Sequence, residues 1–437
     1  MSDITIANLF YNNGNHKTKT GHIPIGPLYI ASSLEKEYFE VDFRDYITDS
    51  SAYPDPMNPR SVFSFLSDSA RIVGVSCACE LLPLAILALR KLKNAYPEKK
   101  IILGGIGPTN VAQDILVQFP FIDIIVRGEG ERTSVALMKR LTSGECLGDV
   151  NGITFRQGDR IISNDPRERI KKLDAIPFPA YDKINIHRYA NVGIYSSRGC
   201  PFRCRFCDVA PFWDRVNYRR TIDNIIDEIE LLKDTYNREE IDIMDQIFVL
   251  DRAKVLEFCR RVKQRKVDFQ WSCSGRIDLI DEELMDEMAI AGCRMIFYNI
   301  ASGSNMILKK IFKGFTAEQA RDILVKSRKY FNVAVALMWG FPFETMEDFW
   351  ETLAFKNFAI EHGCRVDLYL LAPLPLSMLY REYGNHLEFF AEKLHDIAAA
   401  GGNEIEEFAR QYPTVSHWFY RYRTGNFQKK YEIIGHH

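Results

Sequence analysis

Three cysteines stand in one short run of the chain. Cys200, Cys204 and Cys207 lie in the segment SRGCPFRCRFC, directly after an apolar stretch at residues 192–195. This spacing brings three thiolates close together, and thiolates are the usual ligands of a [4Fe–4S] cluster. Three ligands leave one iron open for a chelating small molecule. A zinc site normally needs four ligands, and no further Cys or His follows at short spacing, so we favour the open cluster over zinc or a structural role.

The cysteine run resembles the signature of the radical S-adenosylmethionine (SAM) superfamily. Phe206, the aromatic residue before the third cysteine, fits the same pattern. The resemblance implies that the open iron binds the amino and carboxylate groups of SAM. It also implies that an electron from the reduced cluster cleaves SAM to a 5′-deoxyadenosyl radical, and that a protein such as flavodoxin or ferredoxin supplies this electron.

The elements that would position this loop are strands and helices in alternation. Residues 189–375 contain six strand–helix repeats, which predict an incomplete (β/α)6 barrel with its chemistry at the carboxyl ends of the strands. The predicted strands are 191–196, 241–244, 269–273, 295–300, 333–339 and 366–371. The predicted helices between them are 221–234, 252–265, 281–291, 317–330 and 346–362.

Polar residues follow the second and third of these strands. Asp245 and Gln246 end the second strand, where the resemblance implies two acidic residues. The Asp245 carboxylate would accept hydrogen bonds from the ammonium of SAM or of the substrate, or else be a solvated strand-end acid. Arg276 follows the third strand, and its guanidinium would pair with the SAM carboxylate or form a surface salt bridge.

The segment after the fourth strand departs from the family pattern. The family has glycine first and glutamate third, whereas this chain carries Asn299 and Ala301. Either Ser302 and the neighbouring backbone take over the missing contact with the SAM ribose or the substrate, or the reaction itself differs from the subfamily norm. After the fifth strand, Gly340–Thr345 resembles the GxPxET segment near the adenine, and Glu344 also stands where an acid favours a helix N-terminus.

Residues 1–150 show a second alternation of strands and helices. The pattern predicts a doubly wound, Rossmann-like α/β domain with a parallel sheet, in which ligands bind at the carboxyl ends of the strands. The predicted strands are 4–11, 41–46, 71–77, 100–104 and 122–127. The predicted helices are 27–36, 81–95, 110–118 and 131–142.

Small residues fill the loops after these strands. They let the backbone approach a large or phosphate-bearing ligand, although glycine turns are common in any α/β fold and the spacing is not that of GxGxxG. Our candidate ligand-binding residues are Gly26, Ser76, Gly104, Gly105, Pro108, Arg127, Gly128 and Glu129.

These loops, placed before the cysteine signature, resemble the cobalamin-binding domain of cobalamin-dependent radical SAM enzymes. The resemblance implies a corrinoid lying across the strand ends. None of the nine histidines has an aspartate two positions before it, so the DxHxxG motif is missing and any cobalamin would be bound without that histidine ligand. A domain that kept the fold but lost the cofactor would have a similar sequence.

Composition narrows the class of protein. Basic and acidic residues number 56 and 58, so a nucleic-acid partner is not expected. We find no apolar run of about 18 residues, so no membrane span is expected. Ten cysteines without a secretory signal favour a reducing cytoplasm.

Residues 151–188 should form a hairpin and a linker, and residues 376–437 a helical, aromatic cap over the substrate or an apolar helix packed on the barrel.

The leading hypothesis is a cobalamin-dependent radical SAM enzyme that methylates an unactivated carbon or phosphorus of a small molecule, such as a natural-product intermediate. One SAM would recharge cob(I)alamin to methylcobalamin, and a second would give the radical. The alternative is a radical dehydratase, oxidoreductase or cyclase without methyl transfer, with or without cobalamin. A third hypothesis is a non-catalytic iron–sulfur or zinc scaffold that binds partners.

Overall fold

The chain is built from two compact units. The computed structural model describes residues 2–9, 20–395 and 402–435. The first unit consists of Met1–Lys171, Ala175–Ala190 and Phe389–Tyr420. The second consists of Lys172–Asp174, Asn191–Glu388 and Arg421–His437. Neither unit is one continuous stretch of chain.

A seven-stranded sheet forms the centre of the first unit. Its strands are β1 (Ile4–Leu9), β2 (Val41–Asp45), β3 (Ile72–Cys77), β4 (Lys100–Gly104), β5 (Ile124–Val126), β6 (Ile153–Gln157) and β7 (Arg160–Ser163). They lie in the order β2-β1-β3-β4-β5-β6-β7. The first five strands are parallel, β6 pairs antiparallel with β5, and β7 pairs antiparallel with β6. Parallel strands in the order 2-1-3-4-5 are those of a doubly wound fold. The predicted Rossmann-like domain is confirmed.

Helices pack on the sheet of the first unit. They are α1 (Ile25–Glu35), α2 (Pro59–Leu66), α3 (Leu82–Ala95), α4 (Ala112–Gln118) and α5 (Gly130–Ser143). The predicted helix 110–118 begins two residues late, because Ile106–Asn110 forms a short helix of its own and Val111 lies outside helical geometry. All six residues of β1 are buried, as expected for a central parallel strand.

The second unit contains a six-stranded sheet. Its strands are β8 (Gly193–Ile194), β9 (Glu240–Ile243), β10 (Gln270–Gly275), β11 (Cys293–Ala301), β12 (Asn332–Trp339) and β13 (Arg365–Leu370). The strands are parallel and follow each other in chain order. This order, with helices between the strands, confirms the predicted partial barrel.

Seven helices of the second unit follow the sheet strands in chain order. They are α6 (Ile222–Tyr236), α7 (Arg252–Arg265), α8 (Glu282–Ile290), α9 (Asn305–Lys310), α10 (Ala317–Ser327), α11 (Met346–Glu361) and α12 (Met378–Tyr383). Six of them begin after a side chain that accepts a hydrogen bond from the first turn, which is why the sequence located the starts of the five predicted helices well. These capping residues are Thr221, Asp251, Asp281, Thr316, Thr345 and Ser377.

Short helical turns and short strands connect these elements. The turns are Tyr46–Asp49, Ser50–Ala52, Cys79–Leu81, Leu173–Ala175, Tyr181–Lys183, Ile186–Arg188, Val209–Phe212, Phe248–Leu250, Ile277–Leu279, Gly384–His386, Glu392–His395 and His417–Phe419. The short strands are Thr20–His22, Tyr189–Asn191, Ser197–Arg198, Tyr218–Arg219, Leu387–Phe389 and Tyr420–Tyr422. No helix in the described part of the chain is long and apolar enough to cross a membrane.

The C-terminal residues are divided between the two units. Helix α13 (Gly402–Gln411) contributes Phe408 to the core of the first unit, where its ring stacks on Phe119 at 5.4 Å between centroids. Helix α14 (Phe427–Gly435) belongs to the second unit. The expected single segment 376–437 therefore differs from the structure, because the apolar face of α13 is buried in the core of the first unit. The substrate-capping role remains a prediction.

His417 lies in this returning segment and is fully buried. Burial lowers the pKa of its imidazole from 6.5 to about 4. Between these two pH values the folded protein keeps the imidazole neutral, whereas the unfolded chain carries it protonated. A base whose pKa is depressed on folding loses stability as pH falls from the unfolded value toward the folded one. We expect wild-type protein to lose about 2 kcal/mol more stability between pH 7.5 and 5.0 than His417→Gln, measured by urea unfolding. The exposed His362→Gln variant should lose as much as wild type, and equal losses in all three proteins would contradict the prediction.

Candidate active site

The cysteine loop follows β8 and has a constrained backbone. Gly199 has φ +94°, and a Cβ added there would lie 2.0 Å from the Val216 carbonyl oxygen, so the position accepts only glycine. The Cys207 amide donates to the Cys204 carbonyl at 3.2 Å. All three cysteines are free thiols. The loop therefore presents three thiols in a fixed turn, as cluster ligation requires.

An apolar cluster packs against the cysteine loop. We call this the Phe206 cluster, and its buried members are Phe206, Ala301, Ile307, Ile311, Phe341, Leu371, Leu379 and Tyr422. Cys204 and Cys207 pack against it. Among the described residues, no group of three or more His, Cys, Asp or Glu side chains is arranged to hold a single metal ion. Ligands of different irons in one cluster lie farther apart than ligands of one ion, so this finding is compatible with the cluster.

Asp245 fastens the chain that enters the loop. Its carboxylate accepts hydrogen bonds from the Ser196 and Ser197 amides at 2.8 and 2.9 Å, and from their hydroxyls at 2.5 and 2.6 Å. Because these amides bond to Asp245, the first barrel strand ends at Ile194 rather than at the predicted residue 196. Asp245 is only 2 % exposed, so the alternative of a solvated acid is wrong.

Two amide side chains complete this arrangement. Gln246 Oε1 accepts from the Gly199 amide at 3.2 Å. Asn217 Nδ2 donates to Ser197 Oγ at 3.1 Å and to the Gly199 carbonyl at 2.8 Å. We call Asp245, Gln246 and Asn217 the loop clasp. These contacts make all three residues supports of the cysteine loop. A contact of Asp245 or Gln246 with SAM remains a prediction, and the sequence reasoning missed Asn217.

The loop clasp predicts different outcomes for two substitutions of Asp245. Asp245→Asn keeps an oxygen for the two amides, and the serine hydroxyls can turn to accept from the new NH2 group. Asp245→Ala leaves buried donors without an acceptor and should cost about 3 kcal/mol of stability and most of the iron content. If Asp245 instead paired with the SAM ammonium through its charge, Asp245→Asn would lose SAM affinity. Calorimetric SAM titration and iron analysis of both variants separate the two roles.

Two buried cations face the cysteine loop. The Arg276 guanidinium lies 3.8 Å over the Phe202 ring, pairs with Asp278 at 2.7 Å and donates to the Lys313 carbonyl oxygen. Lys313 Nζ donates to the Asn299 carbonyl at 2.5 Å and lies 5.7 Å over the Phe206 ring. Both residues are buried, so the surface salt bridge considered for Arg276 is wrong. No sequence pattern identifies Lys313, because its position beside the loop depends on the fold.

The cations and the thiols affect each other's ionisation. Burial lowers the pKa of Lys313 to about 8, although the nearby Cys204 thiol opposes this shift. Burial likewise raises the pKa of Cys207 to about 11 and raises that of Cys200, while Arg276 and Lys313 counteract the rise at Cys200. Cations beside a thiol favour the thiolate, which is the form that binds metal. The surroundings of the loop therefore suit an anionic iron–sulfur cluster.

Ser302 lies in a buried polar network with α11. Its hydroxyl is 2.8 Å from Thr352 Oγ1 and accepts from the Ser304 amide at 3.0 Å. Ser304 Oγ in turn donates to Asp348 at 2.6 Å. The network holds the end of β11, where the register shifts between Asn299 and Ala301. The contacts support the strand end, and a contact of Ser302 with SAM remains a prediction.

Two buried acceptors at the ends of β11 and β12 have no hydrogen-bond partner among the described residues. They are Asn299 Oδ1 and Glu344 Oε1. The other oxygen of Glu344 accepts from the Gly340 amide at 3.0 Å and from Lys430 Nζ at 2.9 Å. Buried acceptors are rarely left unpaired, so these two atoms fit a ligand with several donors, as SAM is. Lys430, on α14, was missed by the sequence reasoning.

The first unit places glycines where two loops meet at the carboxyl edge of its sheet. A Cβ on Gly105, which has φ +96°, would lie 2.8 Å from the Cys77 carbonyl oxygen and 3.4 Å from Ser76 Oγ. A Cβ on Gly107 would lie 2.9 Å from the Ala78 carbonyl carbon. Pro108 is buried beside them. The loops after β3 and β4 therefore pack backbone against backbone.

Open space beside a glycine and a buried side-chain amide lie at the same edge of the sheet. Gly26 is exposed, and a Cβ there would meet nothing within 4 Å. A Cβ on Gly104 would make only ordinary contact with Val126. Both polar side-chain atoms of Asn110 are buried without a partner among the described residues. Since cobalamin carries amide groups around its ring, this edge fits it; the sequence reasoning missed Asn110.

The turn after β5 is fastened by its own side chains. Arg127 donates to the carbonyl oxygens of Ile153, at 3.0 Å, and Asn164. The Gly128 amide donates to Thr109 Oγ1 at 3.3 Å, and Glu129 accepts from the Ile170 amide at 3.0 Å. Arg127 and Glu129 thus hold the hairpin and the following chain in place. Their binding of a ligand remains a prediction.

Comparison with protein families assigns both units. The radical SAM superfamily model matches residues 194–355, and the B12 binding domain model matches residues 15–138. The chain is a cobalamin-binding radical SAM enzyme. Its cofactors are a [4Fe–4S] cluster, SAM and cobalamin, which confirms the cofactors expected from the sequence. The cysteines lie within the first match, and the glycine-lined edge lies within the second.

Several curated proteins resemble this radical SAM enzyme along most of their length. An uncharacterized methyltransferase of Pyrococcus horikoshii is 28% identical over 378 residues, which is 82% of this chain and 81% of the relative. Cytidylyl-2-hydroxyethylphosphonate methyltransferase of Streptomyces wedmorensis is 27% identical, with 82% and 77% covered. Anaerobic magnesium-protoporphyrin IX monomethyl ester cyclase of Rubrivivax gelatinosus is 27% identical, with 87% and 70% covered.

A solved structure shares the fold. The radical SAM methyltransferase TsrM of Kitasatospora setae, with cobalamin and a [4Fe–4S] cluster bound, superposes with a TM-score of 0.70 at 17% identity. The match covers 89% of this chain and 77% of TsrM. At this identity the likeness establishes the common architecture of both units.

Proposed function

We propose that this cobalamin-binding radical SAM enzyme transfers a methyl group to an unactivated carbon, or to phosphorus, of a small molecule such as a natural-product intermediate. One observation carries the proposal: relatives named as methyltransferases align with both units, over 81% and 77% of their own length. The proposed electron donor is flavodoxin or ferredoxin, and the proposed compartment is the cytoplasm.

Different residues of the second unit hold the cluster and place charge beside it. When bound, the cluster and SAM supply a radical that removes a hydrogen atom from the substrate, and cobalamin supplies the methyl group. Cys200, Cys204 and Cys207 hold the cluster. Lys313 and Arg276 place positive charge beside the thiolates. This charge also favours a carboxylate nearby, so the same cations suit the carboxylate of SAM.

Neutral and acidic acceptors orient SAM. Asn299 Oδ1 and Glu344 Oε1 each accept a hydrogen bond from its ammonium, ribose hydroxyls or adenine amine. The loop clasp keeps the cysteines in place while SAM binds and leaves. The Phe206 cluster excludes water from the side of the loop that it covers, which protects a reactive radical from side reactions.

The first unit holds cobalamin through its backbone. Gly26 and Gly104 leave room for the flat ring to approach the strand ends, and Gly105 lets the loops after β3 and β4 pack closely beneath it. Asn110 exchanges hydrogen bonds with amide groups at the periphery of the ring. No DxHxxG motif is present in the sequence, so the unit binds cobalamin without the histidine ligand of that motif.

A second candidate function is radical oxidation or cyclisation without methyl transfer. Its support is the relative named as a cyclase, which is covered over 70% of its length. Ala301, which stands where the family carries glutamate, agrees with a reaction that departs from the subfamily norm.

Product analysis tests the proposal. The protein is reconstituted with iron, sulfide and hydroxocobalamin without oxygen, then given SAM, dithionite and candidate substrates. We expect corrin absorbance and both 5′-deoxyadenosine and S-adenosylhomocysteine by mass spectrometry. Deoxyadenosine alone, without corrin uptake, would replace methyl transfer by the second function. Zinc without iron would overturn both.

A further inference from the structure

An exposed aromatic ring lies beside a basic side chain of the cysteine loop. Phe312 is 52% exposed and follows α9. The Arg205 guanidinium lies 5.7 Å from its ring centroid, and Lys310 Nζ lies 4.8 Å from that of Phe343. We call this surface the Phe312 patch, and its members are Arg205, Met306, Lys309, Lys310 and Phe312.

The patch is directly connected to the cluster ligands. Arg205 lies in the loop, immediately after Cys204. Its amide donates to the Ile311 carbonyl at 3.2 Å, and its Nη1 donates to the Lys310 carbonyl at 3.1 Å. These bonds fix the C-terminal end of α9 on the loop. A protein bound at Phe312 would therefore lie against the loop that holds the cluster.

The charge of the patch differs from that of the whole chain. The chain has a net charge of −2, whereas the patch has three basic residues. Glu382 forms an ion pair with Arg205, and Asp348 lies within electrostatic range of Lys310. Lys309 is exposed. An apolar centre with a basic rim is typical of a docking surface for an acidic protein, because the charges steer the encounter and the apolar centre is buried on contact.

We propose that the Phe312 patch is the docking surface for an acidic one-electron carrier protein, such as a flavodoxin, that reduces the cluster. The proposal rests on the proposed function, since only a redox cluster needs such a donor. One electron passes from the carrier's flavin hydroquinone, which becomes the semiquinone, to the oxidised cluster. No bond forms or breaks in this step. A basic patch beside the ligand loop shortens the path and selects an acidic donor.

Binding and turnover measured side by side test the surface. The patch variant is Lys309→Glu with Phe312→Ser, and neither residue is itself assigned to the cluster or to SAM. The matched control is Lys429→Glu with Tyr369→Ser, since Tyr369 is 53% exposed in the same unit. Affinities for a purified flavodoxin and an acidic [2Fe–2S] ferredoxin are measured by calorimetry at low and high salt. SAM cleavage is measured with the reduced carrier and with dithionite.

We expect the patch variant to bind the carrier about tenfold more weakly than wild type and the control, with a smaller dependence on salt. Carrier-driven SAM cleavage should fall in parallel, while dithionite-driven cleavage stays within about twofold. Equal affinity of the patch variant and wild type, or no binding of either carrier to wild type, would overturn the docking surface. Failure of dithionite-driven cleavage in wild type would instead refute the proposed function, and the affinities would still decide the surface.

Discussion

Cys204→Ala is expected to abolish SAM cleavage. Cys204 is the central member of the trio and packs against the Phe206 cluster. With two protein thiolates left, an additional iron loses its protein ligand, and the cluster becomes labile. The expected result is iron content far below four per chain and no 5′-deoxyadenosine above background, measured by iron analysis and mass spectrometry after anaerobic reconstitution.

Cys146→Ala is the matched control for this experiment. Cys146 is an exposed free cysteine of the first unit, so its loss removes a thiol without touching the loop. Iron content, the cluster EPR signal and its change on adding SAM should all equal those of wild type. Retained SAM cleavage in Cys204→Ala, at a rate near that of the control, would refute the assignment of the cluster ligands.

Lys430→Met is expected to cost about 3–5 kcal/mol of stability, because it leaves an acid buried without its partner. Lys430 Nζ donates to Glu344 Oε2 at 2.9 Å and to the Glu344 carbonyl at 3.0 Å, and both side chains are 0% exposed. Burial raises the pKa of Glu344, while Lys430 opposes the rise. Without Lys430 the acid would become protonated more readily, and its free oxygen would be a poorer acceptor for SAM.

Two variants make this prediction specific. Lys429→Met changes the exposed neighbour and should move the free energy of unfolding by less than about 0.5 kcal/mol. Lys430→Met combined with Glu344→Gln removes both charges and should regain part of the stability, because no unpaired charge is left buried. Urea unfolding and SAM titration provide the measurements. A loss below about 1 kcal/mol in Lys430→Met would show that the ion pair does not hold α14 on the barrel.

The sequence predicted the features that depend on local spacing. The cysteine loop is one short motif, and β9 to β13 are short β-prone runs separated by helices with capping residues such as Asp251 and Thr345. Local patterns of this kind survive folding, since they decide which face of each element is buried. The family matches at residues 194–355 and 15–138 agree with the predicted order of the two domains.

Other features of the site depend on contacts between distant residues. Lys430 reaches Glu344 across 86 positions, and Asp245 reaches Ser196 across 49. The path of the chain after α9 places Lys313 beside the cysteine loop. The residues next to it in the sequence show no motif that would predict this position. Asp245 was noticed because it follows a strand, but only the structure shows that its acceptor positions serve the loop. The return of residues 389–420 to the first unit was not predictable, since no local pattern in α13 identifies the core that its apolar face joins.

The division of the C-terminal residues has a consequence for biosynthesis. As the chain leaves the ribosome, residues 1–190 emerge long before α13, so the hydrophobic surface that receives Phe408 stays uncovered while the barrel is still being translated. A nascent chain arrested before residue 389 would therefore expose an adhesive face and be a target for chaperones. Recombinant fragments that stop at residue 190 should aggregate unless the 389–420 segment is supplied as a fusion or in trans.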